Sequence, residues 1–144
     1  MLQQCIIGIV SWSTSYTKFK NEQEVLKIKL VNIDTDEAIA ERVKGAYTFW
    51  SRFKGLMLTE SMPENEALHI SPCTAIHTFF MKYSIDIIYL NKEKEIVGIE
   101  EYLEPGKIGK KFMNVKSVIE LPAGTIRNTS TVVGQKVDLA DQVL

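Results

Sequence analysis

Three side chains able to bind a soft metal recur at four-residue spacing: Cys73, His77 and Met81. A thiolate, an imidazole and a thioether together suit Cu(I), and on a helix this spacing would place all three on one face. Residues 74–80 are, however, rich in β-branched and aromatic types, which predicts a strand over 75–82. Residues four apart in a strand share a face but lie about 13 Å apart, too far to share one ion. The sequence therefore predicts no metal site and no bound cofactor, and these residues become core or edge positions.

His77 can also be considered alone, because a histidine titrates near neutrality and can serve as acid, base or ligand. It is one of two histidines, the other being His69, and the hydroxyls of Thr74 and Thr78 flank it. No serine or cysteine motif accompanies it, so no catalytic triad can be argued. His77 is either a binding or catalytic group, or a hydrogen-bonded histidine at the end of a strand.

A third set combines opposite charges: Arg52, Asp86 and Glu120. Asp86 opens a strongly apolar strand and Glu120 lies inside another, where a free carboxylate is costly unless it is paired. Arg52 borders the apolar face of a predicted helix and has the planar fork that suits a carboxylate. The set is either a structural ion pair, with Arg52 within salt-bridge distance of Asp86 or Glu120, or a cleft in which one carboxylate stays partly unpaired and binds a ligand.

The elements that must position these residues follow from periodicity. One amphipathic helix is predicted over about 48–58, capped by Thr48, with Phe49, Trp50 and Phe53 facing the sheet. Alternating or continuous apolar runs predict strands over 26–33, 38–43, 67–70, 75–82, 86–90, 95–102, 115–121 and 136–139. One helix against many short strands predicts an α+β, mainly β fold with a curled or partly closed antiparallel or mixed sheet barrel.

Composition limits the class of protein. The chain has 144 residues, 45% hydrophobic and 24% charged, as in a soluble globular domain. Its net charge of −1 argues against a nucleic-acid partner, and no apolar run is long enough for an integral membrane segment. Two cysteines form no disulfide framework, which favours a reducing, cytoplasmic location.

The chain is predicted to divide at about residue 25. Residues 1–25 combine a short apolar run with a polar stretch and are interpreted as an N-terminal extension or linker. The periodic segments needed for a closed core all lie within 26–144, which is expected to be a single globular domain.

Four short motifs follow one another in the C-terminal two-thirds of the chain: 52–57, 73–81, 85–90 and 119–124. Together they resemble domain-of-unknown-function family 192, an uncharacterised prokaryotic family, over about 26–139. The resemblance implies a fold and a candidate surface, but no established substrate and no catalytic role. Cys73 and His77 resemble those of cytoplasmic, Gram-positive-type members, which implies a bacterial protein. It also implies signature positions at Arg52, Gly55, Met57, Met81, Asp86, Glu120 and Gly124.

Two functional hypotheses result. The first is a non-enzymatic module that binds a small polar ligand or a protein segment, with Arg52, His77, Met81, Asp86 and Glu120 as the candidate cluster. The second is a hydrolase or transferase that uses His77 or Asp86 as acid or base in a cleft.

Overall fold

The computed structural model describes residues 27–142, and the predicted extension over 1–25 lies outside them. The described part contains eight strands and two short helices. The strands are β1 (Lys27–Asn32), β2 (Glu37–Ala40), β3 (Arg42–Ala46), β4 (Glu66–Ile70), β5 (Ile85–Leu90), β6 (Ile96–Leu103), β7 (Ser117–Pro122) and β8 (Val137–Gln142). The helices are α1 (Phe49–Lys54) and α2 (Thr125–Asn128).

The strands form two sheets. One has three antiparallel strands in the order β2-β1-β8, and the other has five in the order β3-β4-β7-β5-β6. In the larger sheet β3 runs parallel to β4, whereas the remaining pairs are antiparallel. The predicted α+β, mainly β fold is confirmed, although the two sheets do not close into a barrel.

The central strands β5 and β7 bury side chains on both faces, as the continuous apolar sequence of β5 predicts. One face, with Ile88 and Ile119, packs against Leu30 of the smaller sheet. The other face, with Ile87 and Val118, forms a second apolar cluster together with Met81. Alternation along each strand therefore decides on which side of the sheet a polar side chain lies.

Helix α1 is shorter than predicted, and its aromatic side chains are not buried. Thr48 does cap it, accepting a hydrogen bond from the backbone N–H of Ser51 at 3.2 Å, but Gly55 ends it at φ +45°, a conformation that favours glycine. Phe49, Trp50 and Phe53 are 65%, 74% and 59% exposed, so the prediction that they pack against the sheet is wrong. Six residues complete less than two turns, and the apolar contact to the core comes instead from Leu56 in the turn that follows.

The predicted strand over 75–82 is also wrong. The segment is a loop, and its one β-type pairing is an isolated antiparallel bridge between His77 and Ile108. Thr78 is fully buried and its hydroxyl donates to the carbonyl of Glu104 at 2.6 Å, while Phe80 takes a positive φ of 63°. These turn interactions outweigh the β propensity of the sequence because propensity is a weak preference that tertiary contacts override.

Within residues 27–142 no helix is long and apolar enough to cross a membrane.

Candidate functional site

A cavity of about 350 Å³ opens between α1, the loop that follows β4 and the larger sheet. Its walls are mostly apolar, with polar groups at a few points, as is usual for small-molecule sites. Its lining includes two aromatic side chains and five that could bind or react: Phe49, Phe53, Arg52, Cys73, His77, Met81 and Glu120. The candidate cluster is therefore largely, but not entirely, gathered around one cavity.

Glu120 contributes a buried carboxyl group to this cavity. It pairs with Ile87 in the β5–β7 ladder, so it lies on the face of the sheet that carries the second apolar cluster. The residue is 4% exposed, and its Oε2 atom has no hydrogen-bond partner among the described residues. Burial in these surroundings raises the pKa of Glu120 to about 7, since water no longer stabilises the charged form.

Arg52 lies beside the same cavity but pairs with no carboxylate. Its Nη1 atom donates a long hydrogen bond, 3.4 Å, to the carbonyl of Tyr47. No described acidic side chain forms a salt bridge with it, so the predicted pairing with Asp86 or Glu120 is wrong. The guanidinium is partly exposed on a helix that itself stays at the surface, where water can solvate the charge without a partner.

Asp86 does not line the cavity. It pairs with Leu121 and shares the face of Ile88, which is the opposite side of the sheet from Glu120. Its carboxylate is fully buried and accepts three backbone N–H bonds, from Tyr102 at 2.9 Å, Gly124 at 3.0 Å and Ile126 at 2.9 Å. These bonds join β6 and the turn that starts α2, so Asp86 has a structural role, and the cleft expected to contain both His77 and Asp86 does not form.

Cys73, His77 and Met81 all line the cavity, although strand geometry predicted that they would be widely separated. The loop turns between them, which the strand argument could not anticipate. No group of three His, Cys, Asp or Glu side chains in residues 27–142 is arranged to hold a metal ion. Met81 is buried in the apolar cluster, whereas His77 is exposed and stacks on Phe79 with ring centroids 4.9 Å apart.

The Cys73 thiol is not activated. It donates a hydrogen bond to the carbonyl of Ala75 at 3.2 Å. Burial raises the pKa of Cys73, the hydrogen bond to Ala75 lowers it, Glu120 raises it and Arg52 lowers it, in decreasing order of effect. The net direction is upward, so the thiol keeps its proton and is a weak nucleophile.

Sequence reasoning missed another buried carboxylate, Glu100, because nothing in the sequence pairs it with Tyr89. The Tyr89 hydroxyl donates to Oε2 of Glu100 at 2.5 Å, and the backbone N–H of Lys110 donates to the same atom at 2.9 Å. Burial, followed by Glu100, raises the pKa of Tyr89. Gly109 leaves room for this contact, since a Cβ there would lie 2.5 Å from the Tyr89 hydroxyl. Sequence reasoning also missed Phe49 and Phe53 as cavity walls, because it assigned them to the core.

The fold and the cavity define a small, mainly β domain in which one of the buried carboxyl groups, that of Glu120, lines an open pocket. The family model DUF192, described as "Uncharacterized ACR", matches residues 30–139, and the chain belongs to this family. It is 33% identical over 117 residues to a UPF0127 protein of Thermococcus sibiricus, covering 76% of this chain and 73% of that one. It is 29% identical over 114 residues to a UPF0127 protein of Pyrococcus furiosus, covering 76% of this chain and 96% of that one.

Two solved structures share the fold. A protein of unknown function from Novosphingobium aromaticivorans superposes with a TM-score of 0.68 at 17% identity, covering 78% of this chain and 83% of that one. A Sinorhizobium meliloti protein, provisionally named a transcription regulator, superposes with a TM-score of 0.65 at 18% identity, covering 79% and 92%. At such identities the likeness shows the fold alone. The curated relatives above are archaeal, so they do not support the expected bacterial source.

Proposed function

We propose that this protein is a binding module whose cavity beside α1 takes up a small polar ligand or a polar group of a protein segment. The observation that carries the proposal is the unpartnered Oε2 atom of Glu120, buried among the apolar residues of the cavity. A buried polar group without a partner is rare in proteins and destabilises the fold, so such a group in a pocket supports a role in binding.

The cavity has the composition of a small-ligand site. Its volume of about 350 Å³ falls at the small end of the range for such pockets. Phe49 and Phe53 offer apolar surface at its mouth, while Arg52, His77 and Glu120 offer polar groups. A ligand that hydrogen-bonds to Glu120 would supply the partner that the folded chain does not.

The chemistry of the site favours binding over the alternative of a hydrolase or transferase. That alternative uses His77 or Asp86 as acid or base. Asp86 uses its carboxylate for backbone N–H groups on the other face of the sheet, which leaves His77 as the one candidate of the two that lines the cavity. Cys73 is protonated and donates its hydrogen bond to a backbone carbonyl, so it does not replace Asp86 as a reactive group.

The proposal can be tested by thermal unfolding in a library of metabolites and short peptides, with the wild type and Glu120→Gln compared. A ligand present at 100 times its Kd should stabilise the wild type by about 2.7 kcal/mol. We expect at least one compound to raise the unfolding temperature of the wild type and to lose most of that effect with Glu120→Gln.

Glu101→Gln serves as the matched control, because Glu101 carries the same charge on an exposed position of β6 away from this cavity. It should respond to the same compounds as the wild type does. A library in which no compound stabilises the wild type would contradict the proposal, as would a hit that Glu120→Gln binds unchanged.

We further propose a cytoplasmic location and an independently folding domain over 26–144. The free Cys73 thiol supports a reducing compartment.

The domain boundary can be tested by urea unfolding of a chain that begins at Val25. This chain should keep the denaturant midpoint of the full chain if residues 1–25 are an extension, and a large drop in the midpoint would contradict this.

A further inference from the structure

We infer that the ligand of this cavity is a zwitterion, with an ammonium group that meets Glu120, a carboxylate that meets Arg52 and an apolar body that lies on Phe49 and Phe53. The inference rests on the function proposed above and names the chemical class of the ligand. Its three parts come from three separate features of the cavity.

Glu120 is a buried acceptor that a positively charged donor fits best. Glu120 is 4% exposed and its Oε2 atom accepts no hydrogen bond from residues 27–142. An ammonium group brings three N–H donors and one positive charge, and hydrogen bonds between charged partners are stronger than those between neutral ones. A neutral donor would satisfy the hydrogen bond but would leave the carboxylate charge without compensation.

Arg52 supplies the complementary charge. Its guanidinium makes one long hydrogen bond, to the carbonyl of Tyr47, and forms no ion pair in the described part of the chain. The planar fork of arginine binds a carboxylate through two parallel hydrogen bonds. A ligand with an ammonium group alone would be repelled by Arg52, and a ligand with a carboxylate alone would be repelled by Glu120.

One ligand in this cavity can meet both charged groups. Arg52 and Glu120 line the same cavity of about 350 Å³. A single ligand that carries both charges therefore suits this cavity.

The apolar body follows from the aromatic side chains of α1. Phe49 and Phe53 stack with ring centroids 6.5 Å apart and an interplanar angle of 13°, and both line the cavity while remaining more than half exposed. Covering them would remove apolar surface from water, which the short helix does not do by itself. An aromatic or aliphatic body beside the charged groups fits this surface.

The test uses one phenyl scaffold with the charges varied: phenylalanine carries both, phenethylamine only the ammonium, and 3-phenylpropionate only the carboxylate. Calorimetric titration of the full chain at pH 8 should show phenylalanine binding at least about tenfold more tightly than either singly charged compound. Glu120→Gln should weaken phenylalanine and phenethylamine by about tenfold and leave 3-phenylpropionate unweakened. Arg52→Gln should weaken phenylalanine and 3-phenylpropionate and leave phenethylamine unweakened.

The Arg52 variant keeps the test decisive if Glu120→Gln does not fold, because Arg52 is partly exposed and forms no ion pair. Equal affinity for the three compounds would overturn the zwitterion assignment, as would a metabolite from the library that binds through Glu120 but lacks one of the charges. In both cases the binding function would stand. Failure of every compound, in this series and in the library, would instead contradict the binding function itself.

Discussion

Asp86 and Glu120 lie on neighbouring strands, one register position apart, and point to opposite faces of the same sheet. Asp86 pairs with Leu121, and Glu120 pairs with Ile87. The Asp86 carboxylate accepts three backbone N–H bonds, whereas Oε2 of Glu120 accepts none from the described residues. One buried carboxylate therefore holds the fold together, and the other faces the cavity.

Asp86→Ala should destabilise the protein by about 3 kcal/mol or more. The substitution leaves the N–H groups of Gly124 and Ile126 buried without an acceptor, and each such group costs about 1–3 kcal/mol. Urea unfolding gives the free energy, with Asp141→Ala as the control on an exposed position of β8, where a change within about 0.5 kcal/mol is expected. A loss below 1 kcal/mol for Asp86→Ala would show that these hydrogen bonds are not formed.

Glu120 should make the protein less stable as the pH rises. Its pKa is about 7 in the folded protein and near the ordinary 4.5 in the unfolded chain, so between these values the folded state holds a proton that the unfolded state has released. The free energy of unfolding therefore falls from about pH 4.5 to about pH 7 and is constant above, with a total change of about 3 kcal/mol from this group.

Glu120→Gln isolates this effect, because the other ionisable groups are common to both proteins. Relative to the wild type, the free energy of unfolding of the variant should rise by about 2.5 kcal/mol from pH 5 to pH 8, because the wild type must charge a buried group and the variant need not. Chemical unfolding at the two pH values measures the difference. If the difference between the two proteins is the same at pH 5 and pH 8, Glu120 does not titrate in this range.

Trp50→Ala should cost less than about 1 kcal/mol, despite the size of the side chain. Trp50 is 74% exposed, and its contacts are edge-to-face with Phe49 and Phe53, which are themselves exposed. Ile88→Ala, which removes a fully buried side chain from the core, should cost about 2–5 kcal/mol in the same urea experiment. Similar losses for the two variants would mean that α1 packs against the sheet after all.

Much of the sheet could be predicted from the sequence, because it depends on local patterns. The continuous apolar run of β5 identified a central strand, and the alternation of apolar and polar residues in β1 identified a half-buried strand. The failures occurred where tertiary contacts decide. Nothing local to Thr78 indicates that its hydroxyl bonds to the loop at Glu104, so the segment around it was assigned to a strand.

The cavity could be predicted only in part for the same reason. Glu120, an isolated carboxylate in an apolar strand, was recognisable as an anomaly. The predicted cleft also placed it near Arg52, and both residues line the cavity. The sequence could not show that Asp86 would be saturated by backbone N–H groups from β6 and α2, because these bonds join residues 16 to 40 positions apart. It also gave no sign that Phe49 and Phe53 would stay exposed.

Gly109→Ala should destabilise the protein by crowding a buried hydrogen bond. The new Cβ would lie 2.5 Å from the Tyr89 hydroxyl and 3.0 Å from Oε2 of Glu100, so the buried hydrogen bond between these groups must shift, at a cost of about 1–3 kcal/mol. Tyr89→Phe removes the hydroxyl, and the double variant should therefore lose less than the sum of the single losses, by about 1 kcal/mol. Additive losses in urea unfolding would contradict the contact.

The most direct test of the account is the titration of the Glu120 carboxyl carbon by NMR, in the free protein and in the presence of a bound ligand. The account predicts a pKa of about 7 in the free protein, because the group is buried and Oε2 lacks a partner within residues 27–142. It also predicts a lower pKa when a ligand places a positive charge beside the carboxylate. A pKa near 4.5 in the free protein, or one that does not change when a ligand occupies the cavity, would contradict the role assigned to Glu120.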